Sequence, residues 1–148
     1  METVSTHSTR LSWRSDGHFS HTGYNKDHQL DVGNDVVIPA AAANNDMGTD
    51  PEKLLAASLA SCHMLTFLAL AAKKRLVVAS YDDQPVAELV KRDDGKFAVG
   101  TIRLHPAVVF SGDKQPDEAA VVAMHHKAHD HCFIANSILC DVVVEPVF

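Results

Sequence analysis

Residues 49–68 read TDPEKLLAASLASCHMLTFL, and this stretch decides the fold. Asp50 is placed to cap a helix, and Pro51 suits the first helical position, where its missing N–H is not needed. Glu52 complements the positive helix start. Downstream, Leu55, Leu59, Cys62, Leu65, Thr66 and Ala69 recur at helical spacing and form one stripe. Leu54, Ala57, Met64, Phe67, Leu68 and Leu70 make the other side apolar too. A helix that is apolar nearly all round is buried by more than one element, so a central helix is predicted. The basic run Lys73, Lys74 and Arg75 reads as its charged end, complementing the helix dipole.

Working outward, the first 35 residues read as β structure. Ser12, Arg14 and the surroundings of Phe19 alternate loosely, with Gly17 and Gly23 as turn residues. His28 opens a short strand that a glycine turn closes at Gly33. Pro39 to Met47 is weakly patterned and reads as a loop. Beyond the helix, strands are predicted over 77–80, 86–91, 97–104 and 107–110, with a hairpin turn at Asp93, Asp94, Gly95 and Lys96. Pro116, Asp117 and Glu118 open a second helix that runs to about His131, and the valine-rich tail from Ser137 to Phe148 is a terminal strand. The order β, long α, β meander, α, β predicts an α+β fold with mostly antiparallel sheet. A chain of 148 residues reads as a single domain over 1–148.

The net charge of −6, with no Lys/Arg stripe to offset it, argues against a nucleic-acid partner. Ser58, Ser61, Cys62, His63 and Thr66 interrupt the apolar stretch before it reaches the roughly 18 residues of a membrane span. The first residues have no apolar signal core, so a cytoplasmic location and no membrane partner are expected. Three cysteines in a reducing compartment seldom form a disulfide framework.

Cys62 and Cys132 lie on two separate helix-like segments, which suggests thiol redox chemistry. The bland alternative is a buried cysteine that acts only as a small hydrophobe. In mid-helix, Cys62 gains nothing from a helix N-terminus, so a lowered pKa needs a neighbouring cation or donor. Glu52, ten positions upstream, could orient an arginine, or could simply complement the dipole. Cys132 follows a histidine-rich run in which His125 and His129 stand at i, i+4. A metal needs a third ligand that the sequence does not supply, so no metal is assigned; a polar helix face and support for cysteine redox chemistry stay open. Cys140 reads as a packing residue in an alternating strand. His28 and Asn136, each beside a turn or helix end, are weaker candidates.

The run from Thr49 to Met64 resembles the core motif of the OsmC/Ohr family, the osmotically inducible and organic-hydroperoxide-resistance proteins. The spacing of Glu52 to Cys62 matches that motif, and Cys132, with Asn136 four residues on, sits where the family places its other cysteine. The resemblance covers nearly the whole chain. It implies an intertwined homodimer with shared sheets around two central helices and active sites at the interface. It implies a peroxidase in which Cys62 attacks an organic hydroperoxide and the resulting sulfenic acid condenses with Cys132. An external dithiol, such as a lipoylated protein, would reduce the disulfide, with no bound cofactor. The family's glutamate and arginine correspond to Glu52 and, by resemblance to the early-loop arginine of the Ohr branch, Arg14, with Arg10 in reserve. His28, His63, His129 and Asn136 would line the substrate pocket. Departures are Phe133, where better-known branches often carry proline, and His63, where they often carry an aromatic residue. A histidine-rich, divergent branch is thus implied.

Two other classes stay open at this stage. One is a cysteine–histidine hydrolase or transferase with Cys62 as nucleophile and His129 or His63 as base. The other is a ligand-binding dimer that keeps the fold without the chemistry.

Overall fold

The computed structural model describes every residue except Asn44 and Met47. Its elements run β1 (Arg10–Ser12), β2 (His28–Asp31), β3 (Val37–Ala40), α1 (Pro51–Lys73), β4 (Val77–Asp82), β5 (Val86–Lys91), β6 (Phe97–Leu104), β7 (Ala107–Ser111), α2 (Glu118–His131) and β8 (Asp141–Val144), with a 3-10 turn at Ala135–Ser137. By contacts the chain divides into two compact units, Met1–Leu54 and Leu55–Phe148.

In the first unit β1, β2 and β3 form an antiparallel sheet. The β structure expected around Arg14 and Phe19 is absent, because β1 ends at Ser12. Short side chains there capture nearby backbone N–H groups instead of leaving them to a ladder: Gly17 N donates to Ser15 Oγ (3.1 Å) and His18 N to Asp16 Oδ1 (3.0 Å). β2 leads into a turn with Gly33, Asn34 and Asp35 all at positive φ. β3 takes in Pro39 and Ala40, so the expected loop begins two residues later than predicted. Proline is tolerated because β3 is an edge strand. Residues 41–43, 45 and 46 carry no helix or strand, as predicted, and Asn44 and Met47 of the same prediction lie outside the described residues.

The long helix begins as predicted. Asp50 Oδ1 accepts from Lys53 N at 2.8 Å, satisfying one of the free N–H groups of the first turn. At the other end Leu76 N donates to Ala71 O (3.0 Å) and Arg75 N to Ala72 O (2.9 Å), with Arg75 at φ 58°. This is a Schellman stop with arginine in the left-handed position that glycine usually fills.

Two clusters of core residues line α1. Ala56, Leu59 and Ala60 pack with Ile102, Leu104 and Cys132. Phe67 and Ala71 pack with Leu76, Val121, Met124 and Ala128. The buried stripe is therefore Ala56, Leu59, Ala60, His63, Phe67 and Ala71, not the one drawn through Leu55, Leu65 and Ala69. The alanines let neighbours approach closely, and Leu65 is left 60% exposed. The best 18-residue window of α1 has a mean hydropathy of 1.9, long and apolar enough by length and composition to cross a membrane. The polar interruptions expected to break the stretch do not lower that average enough.

β5, β6 and β8 form one sheet and β4 pairs with β7. Gly95, at φ +82°, makes the predicted hairpin between β5 and β6. Between the named strands, pairing is antiparallel except for β6 with β8, which is parallel; the isolated bridges Ala40 to Thr49 and Ala107 to Val147 are parallel too. The strand expected from Ser137 shortens to Asp141–Val144, because the 3-10 turn takes residues 135–137.

Candidate active site

Cys62 lies in mid α1 and is half-buried, whereas Cys132 caps the C-terminus of α2 and is fully buried. Asp117 starts α2, its Oδ1 accepting from Ala120 N at 2.8 Å. At the far end Cys132 N donates to His129 O at 3.2 Å. The fold brings the two cysteines together. Cys62 packs against the core cluster that contains Cys132, and its thiol is near enough to act on the Cys132 thiol. Burial pushes the Cys132 thiol up, and the Cys62 sulfur adds to this. The N–H groups of Ala135 and Ile134 oppose it, Ala135 N lying 3.4 Å from the sulfur. Cys132 is thus favoured as a neutral thiol, and Cys62 and Cys132 are not joined by a disulfide in this structure. Cys140 packs on the same cluster, and burial raises its thiol too.

Glu52 sits in the first turn of α1 with Oε2 buried and unbonded. A carboxylate oxygen in that state is open to a guanidinium. Arg14 does not bond it here; its Nη1 donates to Trp13 O at 2.8 Å.

The histidines separate into distinct settings. His28 Nδ1 donates to Lys26 O at 2.8 Å, and its ring lines an apolar groove of about 410 Å³ with Leu11, Trp13, Phe19 and Tyr24. His63 is buried, and its Nε2 lies 3.0 Å from Nδ1 of His125. Burial lowers His63 to about 4, with a contribution from the charge of His129. Burial likewise lowers His125 to about 4, with His63 and His126 adding. His129 keeps a buried, unbonded Nδ1 and lines a cleft of about 100 Å³ with His125, Val142 and Val144. Asn136 is exposed, its Nδ2 donating to Asp130 O at 3.3 Å. Among the described residues no three His, Cys, Asp or Glu side chains form a metal-holding group.

Sequence reasoning missed the pairing of His63 with His125 and the place of Tyr81 beside them, where burial pushes the Tyr81 hydroxyl up. The i, i+4 spacing of His125 and His129 marked a histidine face without showing that His125 turns inward.

Residues 43–146 match the family of OsmC-like proteins. An OsmC-like protein of unknown function from Vibrio cholerae O1 biovar eltor is 38% identical, with a TM-score of 0.90 over 97% of this chain and 100% of that one. The organic hydroperoxide resistance protein OhrB of Bacillus subtilis is 18% identical, with a TM-score of 0.70 over 95% of this chain and 98% of that one. An OsmC-like protein from Mycoplasma pneumoniae is 15% identical, with a TM-score of 0.74 over 99% of this chain and 100% of that one. No curated protein matches the sequence. The α+β fold, with two helices and mostly antiparallel sheets, is the OsmC-like fold, and the chain belongs to the family of OsmC-like proteins.

Proposed function

We propose that this chain is a thiol-dependent peroxidase that reduces organic hydroperoxides. The observation that carries the reading is the nearness of Cys62 to Cys132 in the reduced fold. Cys62 as thiolate attacks the terminal oxygen of the hydroperoxide, the O–O bond breaks, and the alcohol leaves with a proton. The Cys132 sulfur then displaces hydroxide from the Cys62 sulfenic acid. Water leaves with the Cys132 proton and a disulfide remains. A dithiol such as a lipoylated protein restores both thiols by exchange.

Glu52 and Arg14 are proposed as the carboxylate–guanidinium pair that favours the thiolate, Glu52 Oε2 being buried and unbonded. His28, His129 and Asn136 are proposed to shape the substrate pocket, and His63, buried against His125, to support it from within the core. The exposed Leu65 on α1 and Phe133, 80% exposed beside Cys132, favour a homodimer, because a second copy would cover apolar surface that one chain leaves open. The location proposed is the cytoplasm. The hydrolase alternative loses support because no imidazole is hydrogen-bonded to Cys62 among the described residues.

The test is intact mass and free-thiol count after one equivalent of cumene hydroperoxide. Wild type should lose two hydrogens, and digestion with trypsin should join residues 54–73 to residues 128–148, with Cys140→Ser used to assign the bond to Cys132. Cys132→Ser should instead trap one oxygen on Cys62. Unchanged thiols in both proteins would set the peroxidase aside and leave a non-catalytic binding dimer.

A further inference from the structure

His63 and His125 are 1% and 2% exposed. Their rings are nearly parallel, 6° apart in plane, with centroids 5.3 Å apart. The 3.0 Å contact between Nε2 and Nδ1 holds one proton, donated by one neutral ring and accepted by the other. Phe67 stacks on His125 at 4.3 Å, and Tyr81 meets it edge-on at 6.3 Å.

The titratable groups around the pair offer no counter-charge. His129 of α2 faces His63, and His126 adds to the field at His125 from its own helix. From β4, Tyr81 brings a buried, unbonded hydroxyl, and burial keeps it in its neutral form. Asp83 acts on Tyr81, and its Oδ1 is taken by His105 N at 2.7 Å. Among the described residues no carboxylate bonds either imidazole. A second proton would therefore place an unpaired charge in the layer and set two N–H groups against each other.

This imidazole layer shares its helices with the thiols. His63 follows Cys62 directly on α1, and His125 precedes Cys132 by seven residues on α2, which returns it to the same helix face. We propose that the His63–His125 pair is an acid-sensitive clamp that positions Cys132 against Cys62. With one shared proton it holds α2 on α1, and with a second it lets the helices part and separates the sulfurs. This rests on the redox reading of the two cysteines given above, and it makes the two histidines positioning residues.

The sign follows from the direction of the shift. Both rings hold their protons less tightly in the fold than in a free chain, so folding favours the neutral pair. The clamp is fully closed above the ordinary histidine value of 6.5 and is lost as pH falls from there towards about 4.

The test equilibrates the whole protein with reduced and oxidised glutathione from pH 6.5 to 4.5 and reads the fraction carrying the Cys62–Cys132 disulfide, with no hydroperoxide present. The same measurement on His63→Gln/His125→Gln, whose amides bond but do not titrate, cancels the thiols' own proton dependence. If that double variant does not fold, His125→Phe replaces it. The disulfide constant of wild type relative to the variant should fall at least about tenfold over this range. A ratio that stays flat while the disulfide forms normally overturns the clamp and leaves the redox reading intact. No disulfide at any pH overturns the redox reading, and the clamp with it. Imidazole NMR gives an independent check: rings of His63 and His125 that stay neutral at pH 5.5 and titrate together support the pair, and a ring that titrates near 6.5 overturns it.

Discussion

The two core clusters along α1 differ in kind. The first, around Ala56, Leu59, Ala60 and Cys132, is built from small and aliphatic side chains, and Cys62 packs against it. The second, around Phe67, is aromatic, with Tyr81 and Phe110 against the same ring. Small residues allow close approach, and this is what lets the cysteines of two helices meet. Aromatic residues bury more area each, so Phe67 is expected to contribute more packing energy than any single residue of the first cluster. The second cluster also borders two buried polar atoms without partners, Tyr81 Oη and His125 Nε2. The thiols and the aromatic contacts are thus placed at neighbouring but different levels of one helix.

The sharpest way to break that contrast is Phe67→Ala. It should cost about 3–5 kcal/mol, more than Leu59→Ala in the first cluster, read from urea unfolding of both variants. If Leu59→Ala proves the more costly, the division of labour between the clusters is wrong.

Acid should come next in effect. Stability should decline as pH falls from 6.5 towards about 4, because burial holds His63 and His125 neutral in the fold. The loss is at most about 3 kcal/mol per ring, less where solvent screens it. Urea midpoints at pH 7, 5.5 and 4.5 measure it, and a midpoint that does not move would remove the imidazole layer from the energetics.

The smallest effect is expected at the end of α1, where Leu76 turns back into the aromatic cluster. Arg75→Gly should stabilise by about 1 kcal/mol or less, since glycine reaches the left-handed conformation without the penalty of a Cβ. A small rise in Tm checks it, and a fall would show that the arginine side chain matters more than its backbone strain.

Much of this molecule was legible in the sequence. The cap at Asp50, the ends of β5 and β6, the Gly95 turn and the start of α2 follow from local chemistry, so residues close in sequence sufficed to predict them. The element order, together with the motif around Cys62, led to the family. What was not legible depends on distant partners. Which stripe of an all-round apolar helix faces the core is set by the strands and by α2, and the prediction missed it by about one residue, leaving out His63. The β structure expected near Phe19 lost to side chains that bond their own backbone. The nearness of Cys62 to Cys132 was implied only by resemblance, because spacing in sequence cannot report a contact 70 residues apart.

One detail of the first unit bears on how such a chain can change over generations. Thr49 N donates to Pro39 O at 3.2 Å, and Ala41 N donates to Thr49 O at 2.9 Å, so the two ends of the segment between them are tied together. Gly48 makes the tie possible: at φ +141°, a Cβ there would lie 2.5 Å from Pro39 O. Residue 48 is therefore closed to substitution: a lineage that replaced this glycine would have to give up the tie between Ala41 and Thr49.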